Sequence, residues 1–193
     1  MVSIRKRFTQ LPLGLFGLAA IICGLFWLVK AGAILITGNQ PPIVFEAGQL
    51  FLLLGISGIG GTLRFENRLR RFGIRLVYLG IVSSVLLLVY TLLSPVAISN
   101  SDELDFPSLL QIISGLTLIL GPMFLGWCAL RSETFLGSWR ILPLVLGVSL
   151  PLAIIVGTVL ATFSAKERLL ELPLMIYAFG WIALGWQMFR VSK

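Results

Sequence analysis

The chain has 193 residues, of which 58% are hydrophobic and 12% charged, with a formal charge of +7 and a mean hydropathy of +1.01. A soluble domain carries about 25% charged residues, so this composition excludes a surface that is mostly wet and places the chain in a bilayer. There is no histidine, which excludes histidine-ligated haem, histidine-bearing zinc sites and histidine-based catalytic triads.

A helix that crosses a membrane needs about 20 mostly apolar residues to traverse about 30 Å of hydrocarbon, and six stretches meet that requirement. The first covers residues 11–37, behind the basic cluster Arg5, Lys6 and Arg7. Ala31-Gly32-Ala33 resembles a signal-cleavage site, but the apolar run is longer than the roughly 7–15 residues of a signal's apolar region. Its retention as a span is expected. Lys30, near the far end of this segment, is the only charge inside an apolar run. Its four-carbon stem is long enough to snorkel to the headgroups, and the sharper alternative is an anion site.

Gly38-Asn39-Gln40-Pro41-Pro42 breaks the chain before the second span, residues 43–63. Glu46 at its start is a candidate partner for Lys30, in an exposed pair contributing about 0–1 kcal/mol. The stretch that follows holds Arg64, Arg68, Arg70, Arg71 and Arg75, five arginines in 12 residues. Orientation and contact with anionic headgroups is the plain reading; docking of an acidic cytosolic partner is the sharper one.

The third span covers residues 72–93 and ends at Ser94-Pro95. The connection beyond it carries Asp102, Glu103 and Asp105, too few oxygens for a strong hard-cation site. Pro107 suits a first helical turn, and Ser108 is the expected polar partner for the free amides there. The fourth span covers 109–130, and Gly121-Pro122 in its middle is the expected hinge, since proline removes a backbone donor and kinks a helix. The fifth and sixth cover 141–163 and 169–189. Only helices and closed barrels satisfy their backbone in lipid, and segments apolar on every face lack the alternation of barrel strands. The expected fold is therefore all-α, a polytopic bundle of six transmembrane helices forming one domain over residues 1–193.

Charge sets an expected orientation. The N-terminus, the second and fourth connections and the C-terminus together hold 12 basic residues against Glu66 and Glu133, a net +10; the opposite side holds three basic residues against six acids, a net −3. Lysine and arginine in short loops mark the cytoplasmic side, so both ends are expected there, as an even number of spans demands. The same residues suit anionic headgroups, and no basic segment free of the bilayer suggests nucleic acid.

Side-chain chemistry inside the spans is sparse. Cys23 and Cys128 are expected at different depths and therefore unbonded. Ser57, Ser83, Ser84, Gln111, Ser114, Thr117, Ser149 and Thr158 are the neutral polar groups, most expected to bond their own helix carbonyls. Small residues stand four apart at Ser57/Gly61, Ala20/Gly24, Gly80/Ser84 and Ala153/Gly157/Ala161, a spacing that lets helix backbones approach.

The even spans end alike. Gly126-Trp127 precedes Arg131 as Gly185-Trp186 precedes Arg190, both within LGWxxxR, and Gly60-Gly61-Thr62-Leu63-Arg64 is a looser match. The chain thus reads as three helical hairpins. With Gly137-Ser138-Trp139 opening the fifth span, and apolar residues around Ser57-Gly58 and Ser114-Gly115 in the even spans, it resembles HdeD-type small bacterial membrane proteins. That resemblance implies a plasma-membrane protein associated with acid or envelope stress and carries no catalytic residues. The acidic and arginine-rich connections have no counterpart in it.

The expected function is accordingly that of a non-enzymatic membrane protein without cofactor or metal, working through contact with lipid, with a membrane-protein partner or with a second copy. The alternative is a small transporter or channel for an uncharged or weakly polar solute, lined by the Ser, Thr and Gly positions with Pro122 as its hinge.

Overall fold

The computed structural model describes residues 13–41, 43–63, 68–93, 105–131, 137–164 and 166–192. They form α1 (Leu13–Thr37), α2 (Val44–Thr62), α3 (Arg68–Leu93), α4 (Phe106–Arg131), α5 (Leu142–Ser164) and α6 (Leu172–Val191), with 3-10 turns at Gly137–Ile141 and Glu167–Glu171 leading into the last two. Six helical segments are long and apolar enough to cross a membrane. At about 1.5 Å per residue, even the shortest, α2, spans about 28 Å. The molecule is an all-α, multi-pass membrane protein.

The helix ends depart from the apolar runs for local reasons. Helix α3 already covers Arg68–Arg71 ahead of the apolar run that starts at 72, because arginine is a good helix former and a helix does not stop where hydrocarbon does. Helix α4 begins at Phe106 because Asp105 caps it: the Ser108 amide donates to Asp105 Oδ1 at 2.9 Å. Ser108 is therefore the capped residue and not the cap expected from sequence. Helix α6 begins three residues later than its apolar run, with Pro173 in its first turn, where a missing N–H costs nothing. Ile43, just ahead of α2, sits at φ 69°, in the left-handed region that a β-branched residue rarely adopts.

Consecutive helices pack against one another, α6 closes back on α1, and α2 also touches α4. Close approach depends on small residues. A Cβ on Gly17 would lie 2.6 Å from the Gly185 carbonyl oxygen, and one on Gly24 would lie 2.6 Å from that of Ala178. These glycines draw α1 and α6 together in antiparallel fashion. Gly55 meets Ala20, Gly80 meets Thr117, and Gly157 meets the Leu170 backbone, so most of the small-residue spacings seen in the sequence are used inside the molecule. Ser57/Gly61 is not. Ser57 Oγ bonds the Leu54 carbonyl of its own helix at 2.6 Å, and a Cβ on Gly61 would meet nothing within 4 Å. Helix α4 runs unbroken through Pro122. The proline is buried where Gly147 of α5 packs against it and Met123, which makes it a packing surface for α5.

Candidate functional site

The C-terminal ends of α1, α3 and α5 and the N-terminal ends of α2, α4 and α6 lie at one end of the bundle, called here the hairpin end. The buried polar side chains Lys30, Glu46, Gln49, Ser83, Ser84, Ser114, Thr117 and Glu171 all belong to the halves of their helices, or to the turn, nearest that end.

Lys30 is 6% exposed and does not snorkel. Its Nζ donates to Glu171 Oε1 at 2.9 Å and to Oε2 at 3.1 Å. It also lies 5.5 Å from the Trp27 ring centroid and 5.6 Å from that of Phe45, a cation–π arrangement. Its partner is Glu171 and not Glu46. The α1–α6 contact brings the turn ahead of α6 over Lys30, and both oxygens of one carboxylate accept from the ammonium. Two ions taken out of water recover their hydration only through such close pairing. Below the pair, Tyr177 stands edge-on to Trp27 and Trp181; Trp27 Nε1 is buried with no hydrogen-bond partner among the described residues.

A second set of polar groups links three helices. Ser114 Oγ of α4 donates to Gln49 Oε1 of α2 at 2.8 Å, so its own oxygen is left to accept from Ser84 Oγ of α3, also at 2.8 Å. Four other hydroxyls follow the sequence expectation: Ser57, Thr117, Ser149 and Thr158 bond carbonyls of their own helices. Gln49 was not recognised from sequence, although it stands one helical turn after Glu46 on the same side of α2.

A third feature is a cavity of about 120 Å³ where the first turns of α2 and α4 meet the last part of α3. Its polar lining is Gln40, Glu46, Asp105, Ser108 and Gln111. Glu46 is 7% exposed, and its Oε2 has no hydrogen-bond partner among the described residues. The Asp105 carboxyl is held below its usual range by hydrogen bonds from Ser108, side chain first and then backbone.

The other residues singled out in the sequence lie at the opposite end. Arg68, Arg71 and Arg75 are exposed. Arg70 turns inward, and its Nε donates to the Gly60 carbonyl at 3.1 Å, satisfying one of the carbonyls left open at the end of α2. Arg64 lies outside the described residues, as do Asp102 and Glu103. Trp127 is exposed with the Arg131 guanidinium 4.6 Å above its ring. Trp186 is exposed and stacks on Phe189, and Arg190 is exposed. The glycines of the two LGWxxxR stretches face the other way: Gly126 packs on Leu144 of α5, and Gly185 packs on Gly17 of α1. Each glycine thus seats an even helix on the first turns of an odd helix. Cys23 and Cys128 are unbonded.

No protein-family model, curated protein or solved structure matches this chain.

The chemistry of the polar layer follows from its own groups. One ammonium is held by both oxygens of one carboxylate, one hydrogen-bond chain fixes three helices against each other, and one buried carboxylate faces a cavity with an acceptor to spare.

Proposed function

We propose that the protein is a non-enzymatic component of a bacterial plasma membrane, with both ends in the cytoplasm, that acts by contact with anionic lipid and with a neighbouring membrane protein or second copy. Its resemblance to HdeD-type proteins supports a role in envelope stress. The observation that carries the reading is the arrangement of arginines on α3. Arg68, Arg71 and Arg75 follow the i, i+3, i+7 spacing of one helix face, and all three are exposed at the end of an apolar helix. Guanidinium groups grip phosphate oxygens in pairs, and each basic side chain near an anionic surface contributes about 1 kcal/mol. The Trp127–Arg131 stack adds an interfacial ring and a further cation on α4.

Native mass spectrometry of the purified full chain tests this. Anionic phosphatidylglycerol is expected to remain bound more tightly than phosphatidylcholine, and replacing Arg68, Arg71 and Arg75 together by Gln is expected to erase the preference. Equal retention of both lipids would overturn it. A second reading, passage of an uncharged solute, is favoured by the Gln49–Ser114–Ser84 chain inside the bundle. Saturable flux of glycerol or urea in proteoliposomes would favour that reading; under the first, the rates match those of empty vesicles.

A further inference from the structure

We propose that the cavity between α2, α3 and α4 at the hairpin end is a binding site for a small primary ammonium, with Glu46 as its counter-ion. Glu46 is 93% buried by its 7% exposure, yet Oε2 accepts from no group among the described residues. An ionic acceptor withdrawn from water without a donor is costly, and the cost is removed when a charged donor arrives. Glu46 stands in the first turn of α2, where the helix dipole offsets part of that cost but supplies no partner.

The sign of the occupant follows from the lining. Among the described residues it contains two carboxylates, Glu46 and Asp105, and no basic side chain. Lys30, packed on the Phe45 ring, is held by both oxygens of Glu171. The amides of Gln40 and Gln111 and the hydroxyl of Ser108 add neutral acceptors. Asp105 is already committed in part, since its Oδ1 caps the Ser108 amide. Glu46 is therefore the anchoring charge, and the others complete the acceptors that the three N–H bonds of an ammonium require.

Organic rather than metallic character follows from two observations. Among the described residues no group of three or more His, Cys, Asp or Glu side chains is placed to hold a metal ion, and a hard cation takes six or more oxygens at short range. The other part of the wall is carbon, from Phe45, Leu87 and Pro107, which suits the alkyl part of an amine and offers an aromatic ring to its charge. The volume of about 120 Å³ is several times the roughly 10–15 Å³ that one water needs. A short alkylammonium fits these limits. The site stands apart from the α3 arginines at the other end of the bundle and does not depend on their binding lipid.

The test uses the full chain in phosphatidylcholine nanodiscs, which carry no net charge, with n-propylammonium as probe. Binding is followed by isothermal titration and by saturation-transfer NMR. Saturable binding is expected, at least tenfold weaker in Glu46→Gln, about threefold or more weaker in Gln111→Leu, and unchanged in Glu167→Gln, which removes an exposed acid at the same end. Gln111 is exposed at the rim, so its variant decides the matter if Glu46→Gln does not fold. The proposal is overturned by non-saturable binding, by equal affinity in Glu46→Gln or, should that variant not fold, in Gln111→Leu, by equal affinity for n-propanol, or by Ca²⁺ binding in the cavity more tightly than the amine.

Discussion

Replacing Lys30 by Met removes the ammonium and leaves Glu171, 5% exposed, without its partner inside the bundle. Breaking a buried ion pair from one side costs about 3–5 kcal/mol, because the remaining charge has lost its water and gains nothing in return. Loss of the cation–π contacts to Trp27 and Phe45 adds about 0.5–2 kcal/mol. Glu171→Leu strands Lys30 and is expected to cost about 3–5 kcal/mol by the same reasoning. The double variant strands neither, and apolar groups of similar volume in place of a buried pair are often neutral or stabilising by about 1–4 kcal/mol. The double variant should therefore lie well above the sum of the single losses, with a coupling of at least about 3 kcal/mol. Steric trapping in bicelles measures these free energies at equilibrium. Single variants that each cost under about 1 kcal/mol and add in the double variant, as an exposed pair would, would refute the reasoning.

Other expectations follow from close approach, backbone strain and capping. Gly185→Ala pushes a Cβ into the Gly17 backbone and should cost about 1–3 kcal/mol or more by overpacking. Gly32→Ala meets nothing within 4 Å and should be neutral or stabilising by up to about 1 kcal/mol, the gain in helix propensity; the same trapping assay compares the two. Ile43→Gly relieves a left-handed backbone at φ 69° and should stabilise by about 1 kcal/mol, the approximate cost of that region to a residue bearing a Cβ. Because the Asp105 carboxyl is lowered from its ordinary value of 3.8 in the folded state, its capping contribution is complete above that value and lost as pH falls through the lower one. Amide exchange should show Ser108 protection dropping below about pH 4 in the native chain, while Asp105→Asn should show no such step.

The six helices were legible because a span is announced by length and hydropathy, and these segments are apolar on every face. Their ends were less so. Helix α3 covers Arg68, Arg70 and Arg71, whose charge lowers hydropathy while leaving helix propensity high, and the start of α4 is set by the Asp105 cap, which hydropathy does not register. The Lys30 partner was misread for a different reason. Position along a span fixes depth alone, and both Glu46 and Glu171 lie at a suitable depth. The choice depends on which helix abuts α1 on the face bearing Lys30. That information was present as Gly17 and Gly24, seven apart on α1, and as Ala178 and Gly185, seven apart on α6; only the contact between the two pairs shows that they belong together. Gln49 escaped notice because one amide barely lowers the hydropathy of α2, yet it joins that helix to α4 and, through Ser114, to α3.

Closure of α6 onto α1, with the start of α1 and the end of α6 on one side of the bilayer, is the arrangement on which the packing and the Lys30–Glu171 pair depend. A Cβ on Gly14 would lie 3.5 Å from the Ser192 Cβ, within the roughly 3.5–4.5 Å that a disulfide spans. Gly14→Cys with Ser192→Cys, in a chain carrying Cys23→Ala and Cys128→Ser, should cross-link within single molecules when membranes are treated with a mild oxidant. No cross-link, together with thiol labelling of the two positions from opposite faces of the membrane, would contradict the account.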